Sequence, residues 1–332
     1  MREYLEAVNA LFIERGYAPP VDFSQKRQGP ALHYENVKTW EGEPERRTHM
    51  QPAFLDELLA RAKLDSSGLA DISLVRDIVV LGRYTGHRLA EYGQSKQTKI
   101  DYHDLPNGRG RIMKAFCRQD FQFFDKQGRI LTDPVASPSI IDSITICWRV
   151  QKNRRNGQKI SWVCDVANPD LCPVRAALRI YDRSLRLGLR DDQPMCAYAK
   201  QLKKGQAAKY ITGHKIREIF RAIARDVFPD ISRQELKLYS AHMIRVTAAV
   251  LLQYADKDAD FIKIRLRWEG DSYRIYLRNT SVLAHKQLHA HGQANTFAAL
   301  AYQLTPLNLS DSNQPNLLPQ LPADDAGIYV GI

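Results

Sequence analysis

One change of period limits what this chain can fold into. From about residue 97 to about residue 165 apolar and polar residues alternate, first in KAFCRQDFQFFDKQGRILT and again in SITICWRVQKNRRNGQKISWVCDV. Side chains along a strand repeat every two residues, so this block reads as β-hairpins, and Asn156-Gly157 is a dipeptide that hairpin turns favour. On both sides the spacing is that of helices. Before the block lie QPAFLDELLARA and ISLVRDIVVLGRYTGHRLAEYG. After it come PVRAALRIYDRSLRLG, TGHKIREIFRAIARDVF and QELKLYSAHMIRVTAAVLLQYA, then short helices through FIKIRLRW and SYRIYLRN and a longer one through SVLAHKQLHAHGQANTFAALAYQL. Helices, a small antiparallel sheet and helices again predict an α+β, mainly helical domain.

The two ends have another texture. Residues 3–16 place Tyr4, Leu5, Val8, Leu11 and Phe12 on one helical face and stop at Gly16, and the stretch to residue 49 is rich in proline, glycine and charge. The run TPLNLSDSNQPNLLPQLPADD holds four prolines and little periodicity, which predicts a flexible tail. The expected division is therefore 1–48 as an N-terminal helix and linker, 49–303 as the main domain and 304–332 as the tail. No internal repeat is visible.

Composition narrows the partners. With 332 residues and 44% hydrophobic content the chain can bury a sizeable core. A net charge of +11 points to a polyanion. The start, MREYLEAVNALF, is not that of a signal peptide, and no apolar run reaches the length of a membrane span. Five cysteines (Cys117, Cys147, Cys164, Cys172 and Cys196) without a C-x-x-C pair argue against a disulfide framework and a zinc ribbon. An intracellular, reducing compartment is expected.

Three short stretches concentrate polar chemistry. In YSAHMIRVTAAVLL, His242 and Arg245 are three apart in an apolar helix and share a side of it. In RYTGHRLAEYGQ, Glu91 follows Arg88 at the same interval and could orient its guanidinium. The hairpin segment RVQKNRRNGQK carries Arg149, Lys152, Arg154, Arg155 and Lys159 with no acid among them, which suits a phosphate backbone. Each stretch also has an ordinary reading: a satisfied core histidine beside a snorkelling arginine, a surface ion pair, a solvated basic turn. A run at His285, His289 and His291 has metal-like spacing but lacks the glutamate of H-E-x-x-H, and a solvated helix accounts for it better.

Taken in order, T-G-x-R-x-x-E, a hairpin lysine, H-x-x-R, a tryptophan and a tyrosine on a short helix resemble the tyrosine recombinase and phage integrase family. The wording W-x-x-D-x-[FY]-x-x-Y in LRWEGDSYRIYLRN and the KN-x-x-NGQ turn resemble recombinases of eukaryotic and algal mobile elements, and the similarity spans roughly residues 68 to 281. The resemblance implies a site-specific DNA recombinase that integrates or transposes a mobile element. In it, Arg88 and Arg245 clamp the scissile phosphate, with Glu91 in support. His242 assists proton movement, Lys152 protonates the departing 5′ oxygen, and Trp268 packs against the phosphate. Tyr276 attacks to form a 3′-phosphotyrosyl link, Tyr273 being the second choice for that role. Arg149, Arg154, Arg155 and Lys159 would touch DNA. The resemblance further implies duplex DNA as partner, a homo-tetramer on paired sites with the helix near 281–303 docking on a neighbour, and no need for metal or ATP. It makes 1–48 an incomplete core-binding domain and puts His87 in a slot that is usually aliphatic. Two alternatives stay open: a catalytically idle DNA-binding protein derived from a recombinase, and a relaxing enzyme of the type IB topoisomerase kind.

Overall fold

The computed structural model describes residues 2–20, 49–104, 110–151, 156–199 and 207–270. The tail at 304–332, the helix near 281–303 and most of the 17–49 segment lie outside the described residues. Helix α1 (Arg2–Glu14) forms where periodicity predicts it, yet Leu11, Phe12 and Ile13 are exposed.

The core is organised on one helix. Helix α2 (Pro52–Lys63) lays Phe54, Leu55 and Leu58 against α3 (Asp71–Thr85), whose residues from Ser73 to Gly82 are buried with the exception of Arg76. The sequence spacing predicts one helix from Ile72 to Gly93, but the structure breaks it. Gly86 takes the left-handed conformation at φ 55° and its N–H bonds to the Gly82 carbonyl at 2.8 Å. A helix cannot continue through that conformation, and glycine adopts it without the Cβ penalty. A separate short helix, α4 (Leu89–Tyr92), follows.

Strands β1 (Tyr102–Asp104) and β2 (Arg111–Met113) form a small antiparallel ladder. Three further strands, β3 (Phe121–Phe124), β4 (Ser143–Trp148) and β5 (Gln158–Val163), make an antiparallel sheet in the order β3-β4-β5. In β4 the inward residues Ile144, Ile146 and Trp148 alternate with half-exposed ones, and Ile144 stands opposite Trp162. The second expected hairpin is present, with a loop wider than the Asn-Gly pair alone. Gly157 N–H bonds to the Trp148 carbonyl at 2.7 Å, and Asn156 Oδ1 accepts the Gln151 N–H at 2.8 Å. The first hairpin is short, with one Phe124–Ile130 bridge on the edge of β3 that β4 does not occupy and the Leu131 N–H on the Phe123 carbonyl at 2.9 Å.

Helix α5 (Pro173–Arg186) is fastened to α3 through buried Asp77, which accepts from Arg179 at 2.6 Å and Arg183 at 2.7 Å. Strands β6 (Ala197–Tyr198) and β7 (Lys209–Tyr210) pair over only two residues each, too short to leave a period in the sequence. Then come α6 (Gly213–Val227), α7 (Arg233–Leu238), α8 (His242–Tyr254) and α9 (Ala259–Leu266). The stretch expected as one helix around residue 240 is two. Tyr239 turns extended at φ −75° and ψ 103° and packs its ring 5.5 Å from that of Phe54, and α8 starts afresh at His242. The result is an α+β protein, mainly helical with small antiparallel sheets. Among the described residues no helix is long and apolar enough to cross a membrane.

Candidate functional site

Arg88 sits where α4 begins, not within a helix as its spacing suggested. Its own N–H donates to Glu91 Oε2 at 2.9 Å, and its Nη1 donates to Glu91 Oε1 at 3.2 Å. Glu91 is buried, so this is no solvated surface pair. The expected Arg88–Glu91 contact is thus present with a different geometry: the carboxylate closes the first turn of α4 and holds the guanidinium from behind.

Glu91 has a second cationic partner that spacing did not reveal. Arg267, just past the end of α9, donates Nη2 to Glu91 Oε2 at 2.8 Å and Nη1 to the Thr85 carbonyl at 2.9 Å. Its guanidinium lies 3.8 Å from the centre of the Trp148 ring, and Trp148 Nε1 donates to Glu91 Oε2 at 3.1 Å. Burial pushes the Glu91 carboxyl up and Arg267 pulls it down, with the result below the usual carboxylate range. Arg267 itself is lowered to about 10 by burial, with Glu91 working in the opposite direction.

His242 and Arg245 occupy the first turn of α8. Arg245 is buried and donates to the carbonyls of Gly86 and Leu266, the latter at 3.1 Å. Its guanidinium stacks 4.1 Å from the Trp268 ring centre. Trp268 falls beyond α9, because Arg267 turns left-handed at φ 57° and ends the helix two residues short of the expected stretch. Arg88, His242, Arg245 and Trp268 all line one cavity of about 760 Å³, with Leu89, Arg217 and Ser240 also on its wall. Arg217, on α6, is a cavity cation that sequence reasoning passed over, since it sits in a helix with an ordinary basic face.

His87, beside Arg88, points into the protein. Its Nδ1 lies 2.8 Å from Thr85 Oγ1 and its ring 4.5 Å from that of Tyr92. Burial, chiefly, lowers its pKa to about 3, so the ring is neutral near pH 7.

The hairpin cations divide. Lys159 is exposed on β5. Arg149, expected to face a polyanion, is engaged within the fold: its Nε pairs with buried Asp120 at 2.5 Å and its Nη2 donates to the Ala115 carbonyl at 2.9 Å. Lys152, Arg154 and Arg155 lie outside the described residues, as do Tyr273, Tyr276 and the histidines at 285, 289 and 291.

Fold and cavity together define an α+β protein with a concave site walled by guanidinium and imidazole groups. No protein-family model matches the chain. No curated protein matches it in sequence. Among solved structures the chain is similar to a XerA recombinase crystal structure, with a TM-score of 0.38, 15% identity, and 86% of this chain and 86% of that one covered.

Proposed function

We propose that the protein is a tyrosine recombinase that cuts and rejoins duplex DNA. One observation carries this reading: Arg88, His242, Arg245 and Trp268, from three stretches distant in the chain, share the wall of one cavity. Two guanidiniums beside an imidazole suit a phosphodiester. Each offers a planar fork of donors and stays charged at any working pH, and together they stabilise the charge that grows on the non-bridging oxygens as phosphorus becomes pentacoordinate.

In the proposed step the phenolic oxygen of Tyr276 bonds to phosphorus and the P–O5′ bond breaks. The departing 5′ oxygen takes a proton from Lys152, and the phenol gives up its own proton with the help of His242. The 3′-phosphotyrosyl link conserves the diester energy, so attack by a 5′ hydroxyl reverses the step without ATP. Exposed Lys159, with Lys152, Arg154 and Arg155, would neutralise the flanking phosphate backbone. A mobile element as the moved DNA and a homo-tetramer on paired sites belong to the same proposal.

The test is incubation with nicked suicide duplexes in EDTA, followed by denaturing electrophoresis. The expected result is a protein–DNA adduct that disappears in Tyr276→Phe and persists in Tyr273→Phe. Absence of any adduct across a varied set of duplexes overturns the reading in favour of an idle DNA-binding protein.

A further inference from the structure

Arg267 has no part in the chemistry above, yet it is the most buried guanidinium at this site, 1% exposed against 3% for Arg245. Its backbone is left-handed at φ 57°, a conformation that costs a residue with a Cβ on the order of 1 kcal/mol. That turn sends the side chain inward, between the Trp148 ring and Glu91, while the next residue, Trp268, reaches the cavity wall.

We propose that Arg267 is the positioning residue of the site: it neutralises Glu91, so that Glu91 can fix Arg88 while leaving the Arg88 guanidinium available to a phosphate anion. This rests on the reading of the cavity as a phosphodiester site. The geometry supports the division of labour. Among the described residues Glu91 makes ion pairs with Arg267 and Arg88 alone, and the Arg88 side chain gives it a single nitrogen at 3.2 Å. A buried carboxylate without a full countercharge either takes up a proton or draws the nearest cation onto itself. Either event spoils Arg88: the first releases it, the second consumes it. With Arg267 in place the two charges cancel, and the Arg88 charge is left for an anionic substrate. The indole N–H of Trp148 adds a neutral donor that holds the carboxylate without changing that balance.

The experiment compares wild type, Arg267→Met and the neutral pair Arg267→Met/Glu91→Gln. Removing Arg267 takes away the strongest influence holding the Glu91 carboxyl down, so that burial, which raises it, is opposed by the Arg88 N–H and by the charges of Arg88 and Arg245. Adduct formation by Arg267→Met, relative to wild type, is expected to be about 10- to 100-fold slower, as misplacement of a phosphate clamp entails, and to carry a pH dependence absent from wild type, as Glu91 passes from a protonated form that releases Arg88 to an ionised form that consumes it. The neutral pair is expected to lose that pH dependence. Stability supplies a reading that needs no DNA: a carboxyl raised in the folded state makes the folded protein bind more protons, so the melting temperature of Arg267→Met falls further below wild type as the pH rises. The neutral pair removes this trend as well.

An Arg267→Met protein with wild-type pH profiles of both adduct rate and melting overturns the proposal. If Arg267→Met does not fold, recovery of a folded protein in the neutral pair supports it, and failure of the pair to fold refutes it. Absence of adduct in wild type overturns the recombinase reading and leaves the Arg267–Glu91 coupling to be judged on the melting curves.

Discussion

Glu91 and Arg267 are 176 residues apart in the chain and meet at 2.8 Å, with the indole N–H of Trp148 on the same carboxylate oxygen at 3.1 Å. Three segments that share no local sequence signal, α4, the end of β4 and the turn after α9, are thereby tied at one buried atom. The tie separates into a hydrogen bond and a stacking surface. Trp148→Phe removes the N–H and keeps a ring under Arg267, and is expected to cost about 1 kcal/mol, or roughly 2–4 °C in melting temperature. Trp148→Leu removes both and is expected to cost about 3 kcal/mol. Thermal melts of the two variants check this; equal losses would mean that the ring contributes nothing beyond its N–H.

The two cavity arginines should fail in different ways. Arg88 has a quarter of its side chain exposed, at 26%, and its carboxylate partner has a second cation in Arg267. Arg88→Met is therefore expected to lower adduct formation by about 100-fold or more while the melting temperature stays close to wild type. Arg245 is buried and satisfies the carbonyls of Gly86 and Leu266. Arg245→Met leaves both acceptors bare and is expected to lose activity and about 2 kcal/mol or more of stability. Parallel melting and adduct gels decide, and an Arg88→Met protein as unstable as Arg245→Met would contradict the assignment.

Acid should loosen the site through His87. Its folded pKa of about 3 lies below the ordinary 6.5, so the unfolded chain binds the proton more readily and stability falls as the pH drops from 6.5 toward 3. By linkage the loss is about 2 kcal/mol at pH 5. Glu91, also held down in the folded state, adds its own loss as the pH falls through the ordinary carboxylate value of 4.5 and below. His87→Leu should therefore flatten the melting temperature between pH 7 and pH 5 while wild type declines. Parallel curves for the two proteins would assign the acid sensitivity elsewhere.

The fold class was legible because it depends on period: strands in the middle and helices on both sides leave repeats of two and of three to four in the apolar residues. The helix breaks were not legible, since each is decided by distant packing. Gly86 stops α3 where Leu266 closes over it, and Tyr239 leaves the helix to reach Phe54. Site residues followed the same division. Arg88, His242, Arg245 and Trp268 stand in short patterned words. Arg267 sits in IKIRLRW among other cations that spacing would place on a solvated helix face. Its burial is set by a left-handed turn and a carboxylate far away in the chain, neither of which leaves a mark on its neighbours.

Gly82 sets how closely α3 approaches α8 and the site. A Cβ placed there would stand 2.2 Å from Ile244 Cγ2 and 2.9 Å from His87 Nε2, and both neighbours are buried. Ile244 sits on α8, the helix whose first turn carries His242 and Arg245, so making room for a new methyl displaces that helix. Gly82→Ala is thus expected to cost about 1–3 kcal/mol and to lower adduct formation as α8 shifts. Ile244→Ala makes room for the new methyl at its own cost of about 2–5 kcal/mol, as large-to-small core changes do. Because the two side chains compete for one volume, Gly82→Ala/Ile244→Ala should be more stable than the sum of the single losses predicts, by 0.5 kcal/mol or more on the scale typical of contacting pairs, ~0.5–3 kcal/mol. A double-mutant cycle of melting temperatures measures this term. Simple additivity would show that the close approach of α3 to α8 is not what glycine serves at this position.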